Sequence, residues 1–198
     1  MIFVTGGARS GKSAFALETA NQVVGAGVNR GLSLFTGEAE RSRRIGTVSG
    51  MNKKCYLATA QALDSEMEDR IAKHRAERGD DWDCIEEPLN VASMLREISG
   101  KYDVVLFDCL TLWISNLMLK DQESGVRSQE SEVEGLIASC KTTNATTIVV
   151  SNEVGLGTVP DNALARKFRD VAGTANRLFA KAADEVYFVV SGIPMRLK

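Results

Sequence analysis

One eight-residue string near the start of the chain limits its fold more than any other feature: Gly6-Gly7-Ala8-Arg9-Ser10-Gly11-Lys12-Ser13, a full G-x-x-x-x-G-K-S. The apolar run Ile2–Thr5 precedes it and reads as a strand, and Ser13–Val24 follows with helical character. Glycines let the backbone curl so that successive N–H groups and the helix N-terminus face one anion. Lys12 adds charge at the terminal phosphates, and Ser13 offers a hydroxyl to Mg²⁺. Strand, loop and helix in that order predict a nucleoside triphosphate site.

The rest of the chain keeps the same rhythm. Cys55–Thr59, Val104–Phe107, Thr147–Val150 and Val186–Val190 are further apolar runs too hydrophobic to leave one face in water, which predicts a buried parallel sheet. Helices are expected over Asp64–Arg78, Ser128–Lys141 and Asp161–Ala182. The last carries Leu164, Phe168, Val171, Ala175, Leu178 and Ala182 at helical spacing. Alternating strands and helices predict an α/β fold of three layers, with ligands beyond the carboxyl ends of the strands. At 198 residues the chain is long enough for one domain, 1–198.

Composition excludes several classes of function. Twenty-four basic and 26 acidic side chains leave a net charge of -2, so no overall positive field draws the protein to nucleic acid or to an anionic membrane. A single histidine, His74, rules out sites that need two imidazoles. Cys55, Cys84, Cys109 and Cys140 lack the paired spacing of a zinc or redox site and are expected to be reduced core residues. With neither a basic leader nor an apolar run of roughly 18 residues, the expectation is a cytoplasmic protein without membrane insertion.

Two stretches break the pattern. Residues 25–54 hold Arg30, Arg41, Arg43, Arg44, Lys53 and Lys54 among six glycines, and read as a basic, glycine-rich insertion: a solvated surface excursion or a flap over a phosphorylated ligand. Lys120–Glu134 is polar and acidic, and reads as a loop running into a helix.

Two further chemical candidates stand out. Tyr102–Asp108 is an apolar strand ending in a carboxylate, where a phosphate-loop protein keeps its metal-side acid, so Asp108 joins Ser13 as a candidate metal ligand. Asp103 lies at the other end of that strand. On the expected 64–78 helix, Arg70, His74 and Arg78 fall on one face, with Lys73 and Arg75 beside the histidine. Neighbouring cations disfavour the charged imidazole and keep it nucleophilic near neutral pH. A solvated face paired with Glu66, Asp69 and Glu77 explains the same charges, and periodicity does not separate the two readings.

The ordered set of landmarks resembles the bifunctional adenosylcobinamide kinase/adenosylcobinamide-phosphate guanylyltransferase family of cobalamin biosynthesis. It comprises the GGARSGKS loop, Tyr56-Leu57-Ala58-Thr59-Ala60-Gln61 followed by Asp64-x-Glu66-Met67, Arg70-Ile71-x-x-His74-Arg75 with Arg78 and Trp82, Glu86-Glu87-Pro88, Asp108-Cys109-Leu110-Thr111 and Ser151-Asn152-Glu153-Val154-Gly155. The C-terminal part adds Val159-Pro160-Asp161-Asn162, Phe168-Arg169-Asp170-x-Ala172-Gly173, Ala183-Asp184-Glu185-Val186 and Val190-Ser191-Gly192. The likeness spans nearly the whole chain except 25–54. Gly79-Asp80 stands where many relatives have a proline. The resemblance implies a P-loop NTPase fold with a RecA-like, mostly parallel sheet flanked by helices, and a homotrimer. It implies phosphorylation of adenosylcobinamide by ATP or GTP with Mg²⁺, then GMP transfer from GTP to adenosylcobinamide phosphate through guanylylated His74. Lys12 is the other implied catalytic residue. Nucleotide contacts are implied at Gly6, Gly7, Ala8, Arg9, Ser10, Gly11, Lys12, Ser13, Ala58, Thr59, Ala60, Arg75, Ala76, Glu77, Arg78, Glu86 and Asp108. A chain with only one of the two activities, or a nucleotide-dependent switch, remains the alternative.

Weaker signals complete the reading. Asn152 and Glu153 follow a strand on the ligand side, a position that touches substrate or metal as readily as not. Arg166 and Arg169 are expected on a solvated helix face, with an arginine reaching a neighbouring subunit's nucleotide as the alternative, and Trp82 and Trp113 are expected to pack rather than to stack on cobinamide.

Overall fold

The computed structural model describes residues 1–25, 52–61, 72, 79, 81–124 and 129–198. Among these, seven strands form one sheet: β1 (Ile2–Gly6), β2 (Lys54–Ala58), β3 (Trp82–Glu86), β4 (Val104–Asp108), β5 (Thr146–Asn152), β6 (Glu185–Val190) and β7 (Ile193–Arg196). Their order is β3-β2-β4-β5-β1-β6-β7, parallel throughout except for the β6–β7 hairpin at one edge. Five helices accompany them: α1 (Lys12–Gly25), α2 (Val91–Glu97), α3 (Leu110–Ser124), α4 (Gln129–Thr142) and α5 (Ala163–Ala182). The expected α/β architecture with a mostly parallel sheet is what the chain adopts.

Period-two alternation divides the core into two layers, because successive strand residues face opposite sides. Val4, Leu106, Ile148 and Val150 meet Phe15, Ala16 and Ala20 of α1 on one side. Phe3, Phe107 and Val149 meet Leu110, Trp113, Ile114, Leu136 and Phe179 on the other. With both faces covered, the central strands have no polar side, which explains their unbroken apolar runs. Phe179 is fully buried and stacks on Phe3 with centroids 5.8 Å apart. Truncating it to alanine would cost about 3–5 kcal/mol.

α5 begins at Ala163 because Asn162 is its cap: its Oδ1 accepts from Leu164 N (2.8 Å) and Ala165 N (3.2 Å), satisfying two amides that lack a helical partner. Within the 120–134 stretch, 120–124 close α3 where a loop was expected, while 129–134 open α4, the helix the loop was expected to run into. α3 carries Leu110, Trp113, Ile114, Leu117 and Met118 at helical spacing, and they enter the core. The 64–78 helix lies outside the described residues, apart from the helical Ala72.

The 25–54 insertion is narrower than its sequence boundaries at both ends. Gly25 ends α1, and Lys54 is the first residue of β2; 26–51 lie outside the described residues. Lys54 belongs to no flap. Its Nζ sits over the Trp82 ring, 5.0 Å from the centroid, and donates to Asp81 and Asn21. Gly79 has φ +78, a left-handed backbone that proline's ring forbids.

The tryptophans pack as expected. Trp82 lies edge-on to Tyr56, and buried Trp113 donates from Nε1 to Leu89 O at 2.8 Å. Cys55, Cys109 and Cys140 are buried and free, and burial pushes their thiols up to about 12, 11 and 12, which disfavours the thiolate. Cys84 is the exception to the core expectation: it is exposed on the edge strand β3.

Candidate active site

Six strands point the same way, so their carboxyl ends and the α1 N-terminus gather at one edge of the sheet. The loop 7–11 leaves β1 there and runs into Lys12. Arg9 (φ +57) and Gly11 (φ +91) take left-handed conformations that fold the backbone back toward its own amides. A side chain on Gly6 would collide with Val189 O and come 2.7 Å from Ser10 Oγ; one on Gly11 would come 3.1 Å from Gly192 Cα. Glycine at 6 is therefore a packing requirement, and at 11 a conformational one as well.

The loop is braced from outside. Val190 pairs with Ile193 across a two-residue turn, Ser191 (φ +51) and Gly192 (φ +81), which is the backbone of a tight hairpin. Gly192 N donates to Ser10 O at 2.8 Å, tying the hairpin to the phosphate loop. Lys12 is buried, with Nζ donating to Gly7 O at 3.0 Å. Ser10 Oγ is buried without a hydrogen-bond partner among the described residues. An orphaned hydroxyl inside an amide-rich curl fits a phosphate oxygen.

Asp108 ends β4 at the same edge, and its Oδ2 accepts from Tyr56 Oη at 2.8 Å. The peptide bond from Asp108 to Cys109 is cis. Strand register lines up the neighbouring tips: Ala58 is opposite both Glu86 on β3 and Asp108 on β4. Thr59 is fully buried; its hydroxyl donates to Cys109 O (2.9 Å) and accepts from Cys109 N (3.0 Å), clasping the β2 and β4 exits. Asp103 lies at the opposite edge, where Oδ2 accepts from Lys53 N at 3.0 Å. That strand therefore divides a ligand-side acid from a structural one, as its two ends predict.

The fold thus gathers Gly6–Ser13, Ala58–Ala60, Glu86, Asp108 and Asn152-Glu153 at one edge. Arg70, Lys73, His74, Arg75, Ala76, Glu77 and Arg78 lie outside the described residues. Arg166 and Arg169 act locally: Arg166 Nη1 donates to Pro160 O and Asp161 O, and Arg169 pairs with Asp170. Gly192 and Thr111 stand in the sequence only as landmarks of the resemblance, without a role, and Asn176 was not singled out. A Ser-Gly pair between two apolar stretches was the available signal for the first. For Asn176 it was an amide within one turn of Ala172, Ala175 and Phe179, the buried stripe of α5.

Oxygen donors suit a magnesium ion, which is usually held by one or two protein groups while phosphates and water complete its shell. Ser13 and Asp108 are such donors. No cluster of three or more His, Cys, Asp or Glu side chains arranged to hold a metal occurs among the described residues. No helix among them is long and apolar enough to cross a membrane.

Comparisons with known proteins agree with this geometry. The family model for cobinamide kinase/cobinamide phosphate guanyltransferase matches residues 36–197. The phosphate loop falls before that span, but end-to-end alignments include it. The bifunctional adenosylcobalamin biosynthesis protein CobU of Escherichia coli K12 is 35% identical over 208 residues, covering 100% of this chain and 99% of the relative. CobU of Salmonella typhimurium LT2 gives the same identity and coverage. CobP of Pseudomonas aeruginosa PAO1 is 40% identical over 163 residues, 82% of this chain and 92% of that protein. A nucleotide-type loop, an acid at the matching strand tip and full-length similarity lead to one assignment: the chain belongs to the cobinamide kinase/cobinamide phosphate guanyltransferase family.

Proposed function

We propose that this enzyme phosphorylates the aminopropanol hydroxyl of adenosylcobinamide with ATP or GTP and then transfers GMP from GTP to the resulting phosphate. The observation that carries the proposal is the meeting of the 6–13 loop with Asp108 at one sheet edge, in a chain aligned end to end with bifunctional relatives. Phosphoryl transfer requires positioning and charge stabilisation above all. Loop amides hold the phosphates, and Lys12 places a cation beside the migrating group. Ser13 and Asp108 would hold Mg²⁺, which supplies further neutralisation of phosphate charge when bound.

Guanylyl transfer is attack at the α-phosphorus, which a γ-directed loop alone does not promote. His74 is the proposed nucleophile: it takes GMP as pyrophosphate leaves, then passes it to the acceptor phosphate, splitting the transfer into two displacements. Arg75–Arg78, Ala58–Ala60 and Glu86 complete the proposed nucleotide contacts. The proposed assembly is a homotrimer in the cytoplasm, without nucleic-acid partners. The exposed apolar side chains of Ile193, Met195 and Leu197 on and beyond the edge strand β7 support self-association.

The test uses GTP labelled at the α-phosphate. Acid-labile, alkali-stable label retained on the protein and absent from His74→Ala supports the covalent route. Label-free protein that still phosphorylates the corrinoid is a kinase alone, and tight nucleotide binding without either reaction identifies a switch.

A further inference from the structure

The corner after β5 carries a carboxylate to which the reactions above assign no role. β5 lies between β1, which leads into the phosphate loop, and β4, which ends in Asp108. Residues leaving its carboxyl end therefore emerge between the two halves of the triphosphate site. The attachment is direct: Asn152 is the register partner of Gly6, and Glu153 N donates to Gly6 O at 2.9 Å.

Three side chains fix this corner. Asn176, 7% exposed, interrupts the apolar stripe of α5 with a buried amide, which is unfavourable unless its polar atoms are bonded. Among the described residues, its side-chain hydrogen bonds all go to residues 151–153. Oδ1 accepts from Ser151 Oγ (2.6 Å), while Nδ2 donates to Asn152 O (3.1 Å) and Glu153 Oε2 (3.4 Å). From the α3 side, Thr111 Oγ1 accepts from Asn152 N (3.1 Å) and Nδ2 (3.2 Å). The other carboxylate oxygen of Glu153 accepts from Gly155 N at 2.8 Å. Among the described residues no salt bridge ties Glu153 to a cation. A carboxylate held by an amide, on a backbone bonded to the first residue of the phosphate loop, has the placement expected of a general base.

We propose that Glu153 is the base of the phosphoryl-transfer step and that Asn176 is its positioning residue; the proposal rests on the functional reading above. The acceptor hydroxyl oxygen attacks the γ-phosphorus. The bond from that phosphorus to the β,γ-bridging oxygen breaks, and its electron pair departs with the nucleoside diphosphate. The hydroxyl proton passes to the Glu153 carboxylate and then to water. The second reaction has a different need, because its acceptor is a phosphate that is largely ionised at neutral pH. Glu153 therefore serves one of the two reactions.

Assaying the reactions separately tests this. One assay follows γ-labelled GTP with adenosylcobinamide; the other supplies adenosylcobinamide phosphate, so that only GMP transfer is read. Glu153→Gln should lower kcat of the first about 10²- to 10⁴-fold while leaving the KM for triphosphate and the second reaction within about threefold. Glu153→Asp, with the carboxylate set back by one methylene, should recover part of the loss. Asn176→Ala should reduce phosphorylation more than GMP transfer. Near-normal phosphorylation by Glu153→Gln overturns the inference, as does equal loss of both reactions or an Asp variant no better than Gln. A wild-type chain that never phosphorylates the alcohol removes the functional reading too, which separates that failure from this one.

Discussion

The two ends of the parallel strands are built on opposite terms. At the amino edge, charged groups close on one another: the Met1 ammonium donates to Asp184 Oδ2 at 2.7 Å, Lys54 to Asp81 and Asn21, and Lys198 Nζ to Ala183 O at 2.6 Å. At the carboxyl edge, hydrogen bonds orient the polar groups and leave part of their capacity unused. Ser10 Oγ has no partner among the described residues, Asp108 keeps an oxygen beyond its tyrosine, and Asn176 aims the Glu153 carboxylate. The first arrangement contributes stability. The second sets aside polar capacity for a ligand, and parallel strands place it there by collecting helix N-termini and strand tips at one edge.

Substitutions at the two edges should therefore separate rate from stability. Lys12→Ala should have the largest effect, slowing phosphorylation on the order of 10²–10³-fold, since it removes a preorganised charge at the transferred group. Steady-state kinetics check this, and turnover close to wild type would deny Lys12 its role. Gly6→Ala comes next. The added methyl collides with Val189 O, which should cost about 1–3 kcal/mol of stability and weaken triphosphate binding, read by denaturant melts and titration calorimetry. Lys54→Met, at the opposite edge, should lose about 1 kcal/mol or less, because Asp81 is largely exposed, and should leave both turnover numbers unchanged.

The smallest effect concerns acid. Asp184 is held below the usual carboxylate range by its hydrogen bond from the N-terminal ammonium, and Asp81 by its hydrogen bond from Lys54. A depressed folded-state pKa contributes stability above the unfolded value, about 3.9, and that contribution disappears as pH falls through the folded value. Asp184→Asn should lower Tm slightly at pH 7, and the gap from wild type should close below about pH 4. A gap that widens in acid would reverse the assigned direction.

How legible the fold was depended on burial. β1, β2, β4, β5 and β6 are covered on both faces, and their apolar runs announced them within a residue or two. β3 and β7 went unread because they are edge strands. In β3 only Trp82 is buried, and every residue of β7 is exposed, so neither needs an apolar run. α2 is seven residues long, too short for a period to show. α3 was missed for another reason: its signal at Leu110, Trp113, Ile114 and Met118 begins two residues after the β4 tip, with no glycine, proline or other turn residue between to mark a new element. For the candidate site, the phosphate-loop residues and the acid at the β4 tip carry motif chemistry and were legible. Asn176 and Thr111 act through hydrogen bonds across 24 and 41 residues, respectively, and local spacing does not encode such distances.

The clasp between Gly192 and Ser10 also orders events during synthesis. The glycine curl is translated early, yet the amide that steadies it lies 182 residues further along the chain. A growing polypeptide therefore carries an unfinished nucleotide cradle until the β6–β7 hairpin has been made, its earliest motif intact in writing and slack in space.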